Sequence, residues 1–142
     1  MMRKKKRKSR KPDAWASPPK PYVAIVAGEP SGDSLGAGLI SALIKRYPDA
    51  DFLGVGGNQM QTKGLVSLYS IDKLSINGFF QPILHLFRLI FLVVRLERYF
   101  LRHRPEIFIG IDFNVFNLML ERRLRKKGVK VVHYVSPSVY AW

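Results

Sequence analysis

A chain of 142 residues, 47% hydrophobic, is sized for one domain with a real core, which excludes disorder of the whole. The absence of cysteine excludes a disulfide framework and any thiolate metal site. Net charge is +14, but Arg3, Lys4, Lys5, Lys6, Arg7, Lys8, Arg10 and Lys11 hold 8 of the 24 basic residues, and the remainder carries 16 basic against 10 acidic.

Residues 1–21 read as a basic, Pro-containing disordered tail, with the fold proper beginning at Tyr22. The tail lacks the apolar core of a signal peptide. A polybasic run gains about 1 kcal/mol per charge near an anionic surface; a merely solvated arm is the plain alternative. Basic and aromatic residues are not spread evenly over the folded part, so no nucleic-acid partner is expected.

Tyr22 to Ala27 is a short, continuous apolar run, as expected of a strand buried on both faces. Ser34 to Tyr47 reads as a helix, with Ser31, Asp33 or Ser34 able to cap it and Pro48 following its end. Asp51 to Val55 reads as a second strand, Asn58 to Lys63 as a short helix ending at Gly64, and Leu65 to Tyr69 as a third strand. Glu106 to Ile111 is the next strand, Val115 to Lys127 a helix with Gly128 beyond its end, and Val129 to Val135 a last strand. Strands alternating with helices imply parallel βαβ units and an α/β, doubly wound parallel sheet.

Between these elements, Ile76 to Leu101 is more apolar than one buried helix face requires. Arg88 and Arg95 interrupt it, which argues against a transmembrane span. Phe79, Phe80, Phe87 and Phe91 beside Arg88 and Arg95 suit a helix lying in a bilayer interface. An ordinary core helix is the bland alternative.

Two glycine-rich turns follow the first two strands. Gly28-Glu29-Pro30-Ser31-Gly32-Asp33 has neither Walker spacing nor a dinucleotide fingerprint, and Glu29 and Asp33 would repel a pyrophosphate. Those carboxylates suit sugar hydroxyls, or the positioning of a loop. Gly56-Gly57 is by itself only a turn. Asp112, at the end of a strand between Gly110 and Phe113, suits a general base and equally a helix cap. His85, His103 and His133 lie too far apart for ligand spacing, so no metal is expected.

Taken together, these pieces resemble the lipid-A-disaccharide synthase family of glycosyltransferases. The matching residues are Val26-Ala27-Gly28-Glu29-Pro30-Ser31-Gly32-Asp33 with Leu35-Gly36-Ala37, then Gly54-Val55-Gly56-Gly57 with Met60. Further on stand Gly110-Ile111-Asp112, Phe116-Asn117-Leu118 with Glu121, and His133-Tyr134-Val135-Ser136-Pro137-Ser138-Val139 with Ala141-Trp142. The resemblance implies that residues 22–142 form the acceptor-side, Rossmann-like domain of a two-domain GT-B fold, incomplete at its C-terminus and with the second domain missing. It implies transfer of 2,3-diacylglucosamine from UDP-2,3-diacylglucosamine to 2,3-diacylglucosamine 1-phosphate, without a cofactor, at the cytoplasmic face of the inner membrane. Asp112 is then the expected catalytic residue. Glu29, Ser31, Gly32, Asp33, Gly56, Gly57, Asn117, Ser136 and Ser138 are expected to bind substrate. A separate C-terminal-half polypeptide is the expected protein partner, and without one the chain is expected to be inactive.

The chain departs from the family pattern at three places. Phe113-Asn114-Val115 stands where the family reads Ala-Pro-Asp, which removes a second carboxylate. Asn77-Gly78 with Gln81-Pro82 removes another, and Tyr140 replaces a tryptophan. These losses leave a non-catalytic, membrane- or partner-binding remnant as the alternative.

Overall fold

The computed structural model describes residues 21–71, 82–112 and 114–134. Phe79, Phe80, Ser136, Ser138 and almost all of the basic tail lie outside them. In chain order the elements are β1 (Tyr22–Ala27), α1 (Pro30–Arg46), β2 (Asp51–Val55), α2 (Asn58–Thr62) and β3 (Leu65–Ser67). After these come α3 (Pro82–Arg102), β4 (Ile107–Ile111), α4 (Asn114–Lys126) and β5 (Val131–Tyr134). The strands form one sheet, ordered β3-β2-β1-β4-β5, and every pairing is parallel. The α/β, parallel, Rossmann-like reading holds.

Strand β5 starts at Val131, two residues later than read, and among the other boundaries that differ from expectation two have clear physical reasons. Helix α1 begins at Pro30 rather than Ser34, because proline's fixed φ suits a first helical position and its missing N–H is no loss there. Its first turn closes with the Asp33 N–H on the Glu29 carbonyl at 2.9 Å, so Glu29 occupies the cap position and none of Ser31, Asp33 or Ser34 does. Strand β3 stops at Ser67, two residues early; the Ser67 hydroxyl donates to the Tyr69 carbonyl and turns the chain. Helix α4 ends at Lys126, one residue before the reading, with Gly128 beyond its end as expected. Gly128 sits at φ 89°, its N–H returns to the Arg125 carbonyl, and the Val129 N–H returns to Leu124.

Each face of the sheet has its own core. Ile25, Ala27, Phe52, Ile109 and Ile111 meet Ala37, Ile40 and Met60 from α1 and α2. Ala24, Val26, Leu53, Val55 and Phe108 meet Leu92, Leu96 and Phe100 of α3 and Phe116, Leu120 and Leu124 of α4. Helices α3 and α4 are pinned to each other by Glu97, whose side chain is 8% exposed and pairs with Arg123 at 2.6 Å and Lys127 at 3.1 Å. Burial alone would raise the Glu97 pKa; hydrogen bonds and charge from Arg123 and Lys127 outweigh it and hold the carboxyl below its ordinary value.

Helix α3 is longer than the sheet it crosses. Its 21 residues span about 31 Å, against about 20 Å for the six of β1. Its C-terminal end is tied to the start of β1, where the Tyr22 hydroxyl donates to the His103 carbonyl and the Glu106 N–H donates to the Tyr22 carbonyl. The surplus therefore emerges at the opposite, carboxyl edge of the strands. There Ile83, Leu84, Leu86, Phe87 and Phe91 are all more than half exposed.

Candidate functional site

In an open parallel sheet, ligands bind outside the carboxyl ends of the strands, where the winding reverses. With the order β3-β2-β1-β4-β5, that point lies between β1 and β4. Ala27 pairs with Ile111 there, so the Gly28-Glu29 turn and Asp112 leave the sheet side by side. Glu29 and Ser31 are exposed and Asp112 is partly so. Neither the Glu29 nor the Asp112 carboxylate has a hydrogen-bond partner among the described residues. Helix α4 starts at Asn114, two residues past Asp112.

Asp112 stands at φ 48°, the left-handed region that an L-residue other than glycine, asparagine or aspartate enters reluctantly. Two bonds hold it. Its N–H donates to the Tyr134 carbonyl at 3.2 Å, and its own carbonyl accepts from Asn117 Nδ2 at 2.8 Å. Asn117 is fully buried, and the same Nδ2 lies 3.1 Å from the Val26 carbonyl and 3.2 Å from that of Ile111. Its amide thus ties the ends of β1 and β4 together beneath the crevice.

Asp33 is used differently from Glu29. It is 6% exposed, and its carboxylate accepts three backbone N–H groups at the start of α2. Oδ1 takes Gly57 at 2.9 Å and Met60 at 3.0 Å; Oδ2 takes Gln59 at 3.1 Å. Of the two roles left open for this residue, sugar binding or loop positioning, its bonds are those of loop positioning. Gly57 must be a glycine for this contact, since a Cβ there would lie 2.6 Å from Asp33 Oδ2. The backbone of Gly56 is also occupied, its N–H by the Ser67 hydroxyl and its carbonyl by the Gln61 amide. Gly32 lies against β1 and β4, where an added Cβ would come 3.3 Å from that of Ala27.

One polar cluster was not foreseen. Glu121 sits one turn beyond Asn117 on the inner face of α4, is 2% exposed, and has Oε1 2.6 Å from His133 Nδ1. Gly110 leaves it room, for a Cβ there would fall 2.0 Å from that oxygen. Burial pushes the Glu121 carboxyl pKa up by more than His133 and Arg125 pull it down. The legible signal was Asn117 and Glu121, four residues apart in the stripe otherwise made of Phe116, Leu120 and Leu124.

Of the expected site residues, the structure brings Glu29, Ser31, Asp112 and Asn117 to the switch point and gathers Gly32, Asp33, Gly56 and Gly57 into the neighbouring turns. Among the described residues no group of three His, Asp or Glu side chains is placed to hold a metal, and no helix is long and apolar enough to cross a membrane.

Comparison with known proteins supplies the family. The model of the lipid-A-disaccharide synthetase family matches residues 23–142. The chain belongs to that family. It is 54% identical over 120 residues to the lipid-A-disaccharide synthase of Saccharophagus degradans, covering 84% of this chain and 31% of the relative. To the lipid-A-disaccharide synthase of Alcanivorax borkumensis it is 52% identical over 122 residues, covering 86% and 32%, and to that of Xanthomonas campestris 48% over 122 residues, covering 86% and 28%. The chain thus spans about a third of the length of the lipid-A-disaccharide synthases it matches. Their names make them glycosyltransferases of lipid A synthesis.

Proposed function

We propose that this chain is the acceptor-side part of an enzyme that transfers 2,3-diacylglucosamine from its UDP-linked form to 2,3-diacylglucosamine 1-phosphate. The observation that carries the reading is the family match over 23–142, whose residues include the two unpartnered carboxylates at the β1–β4 crevice. As the acceptor hydroxyl attacks the anomeric carbon, its oxygen forms the new C–O bond and its proton passes to Asp112. The bond to UDP breaks, and UDP leaves with the electron pair. Glu29 orients the acceptor through its hydroxyls.

The donor's UDP belongs to the second domain of a GT-B arrangement, which falls in the roughly two thirds of the relatives' length that these residues do not match. The exposed end of α3 meets the cytoplasmic face of the inner membrane through Phe87 and Phe91, with Arg88 and Arg95 beside anionic headgroups. The test is UDP release from both substrates by the chain alone, then by the chain mixed with the remaining two thirds of a relative. The chain alone should transfer nothing and the mixture should turn over. Asp112→Asn should lower kcat by about 10²–10⁴-fold, the usual contribution of a positioned general base. Disaccharide formed by the isolated chain would overturn the two-part reading. Wild-type turnover by Asp112→Asn would remove that residue from the chemistry and shift the role to Glu29. A mixture that binds vesicles yet never turns over would leave a membrane-binding remnant.

A further inference from the structure

We infer that Glu121 and His133 form a positioning pair that holds Asp112 in its left-handed conformation from beneath the sheet edge. The connection is short and physical. His133 stands opposite Gly110 in the β4–β5 register, and the residue after it, Tyr134, supplies the carbonyl that accepts the Asp112 N–H. Where β5 sits relative to β4 at this end therefore decides whether that bond forms.

Strand β5 needs such a tie because it has a strand on one side only among the described residues, and Val132 and Tyr134 are 43% and 39% exposed. The pair supplies it by joining β5 to the inner face of α4. Asn117, on the same face, holds the other side of Asp112. Both hands on Asp112 thus come from one helix, directly through Asn117 and indirectly through Glu121, His133 and Tyr134.

The chemistry fixes the imidazole as well. With Nδ1 facing a carboxylate oxygen at 2.6 Å, the neutral ring carries its proton on Nδ1 and donates it to Glu121. Nε2 is then the acceptor nitrogen, and it is buried without a partner among the described residues. Few other charges act on the pair. Strand β4 has no ionisable side chain, α4 contributes Arg125, and Glu97 of α3 is occupied by Arg123 and Lys127.

The value of this arrangement to sugar transfer rests on the reading of Asp112 given above, but the pair itself can be tested without any activity. In the 142-residue chain, nitrogen NMR of the His133 ring should show the Nδ1–H tautomer. In Glu121→Leu, which leaves the His133 Nδ1–H without an acceptor, hydrogen exchange at the Asp112 amide should quicken by about tenfold or more, the factor that loss of one hydrogen bond to a charged group corresponds to. Amides of the β1–β2 ladder should keep their protection. Glu121→Asp should restore part of the Asp112 protection. An Nε2–H tautomer in the wild-type chain would overturn the pair whether or not any variant folds. Equal loss of protection over the whole sheet in Glu121→Leu, or none at Asp112, would reduce it to ordinary packing. Failure of Asp112→Asn to slow turnover would instead count against the function and leave the pair standing.

Discussion

Replacing Asp33 separates a structural carboxylate from a ligand-binding one, and the expected sizes follow from its three bonds. In Asp33→Ala all three N–H groups lose their acceptor. Gln59 is exposed and finds water, whereas the bonds to Gly57 and Met60 are buried. Each buried donor left unsatisfied costs roughly 1–3 kcal/mol, so the pair costs about 4 kcal/mol. A five-residue helix has no stability of its own to offset this. Asp33→Asn should be milder. Its oxygen still serves Gly57 and Met60, and only the Gln59 bond and the charge are lost, for about 1–2 kcal/mol. Urea unfolding followed by far-ultraviolet circular dichroism reads both. At a slope of about 2 kcal/mol per molar, the midpoint should fall by about 2 M for alanine and by 0.5–1 M for asparagine. Alanine within 0.5 kcal/mol of wild type, or indistinguishable from asparagine, would refute the clamp and return Asp33 to the substrate.

Gly110→Ala should drive a methyl into Glu121 and cost about 3 kcal/mol, lowering the melting temperature by about 10 °C in calorimetry; an unchanged melting point would mean that α4 moves aside freely. Phe87→Asp or Phe91→Asp should each weaken binding to anionic vesicles by about tenfold or more in co-sedimentation, since burying one such ring is worth roughly 1.5–3 kcal/mol. Added salt should weaken binding further, and a wild-type sedimentation profile for both variants would remove the exposed end of α3 from any membrane contact. The lowered pKa of Glu97 means its contribution to stability is present above its unfolded value and is lost as pH falls through the folded one. Glu97→Gln should therefore flatten the acid side of the stability profile, and an equally steep acid limb in the variant would assign that limb to other groups.

The fold was legible where signals are local. The six apolar residues of β1, the breaks at Gly64 and Gly128, and the alternation of strand and helix need no distant partner to be read. What escaped the sequence depends on distance along the chain. Asp33 looks like a helix cap or a ligand because its actual donors lie 24 to 27 residues on. Glu121 and His133 are separated by the last turn of α4, a connection and the first half of β5, so no spacing rule unites them. The early start of α1 was hidden because Pro30 stands within a glycine-rich run that reads as a turn, although proline suits a first helical position. For the crevice, the strand-end carboxylate could be read from sequence, but only the strand order shows that Glu29 is its neighbour.

The overhang of α3 bears on how a substrate arrives. Both proposed sugars carry two acyl chains, so their concentration in bulk water is negligible and a crevice opening to solvent would wait on rare encounters. Because the bare end of α3 leaves the sheet on the same edge as Glu29 and Asp112, a lipid surface that took up Phe87 and Phe91, as proposed, would lie near the mouth of the crevice. On that proposal the search would be two-dimensional, with substrates sliding within a leaflet until a headgroup meets the edge. Turnover would follow the surface density of the lipids rather than their total concentration, and diluting them with inert phospholipid at constant total amount would slow it.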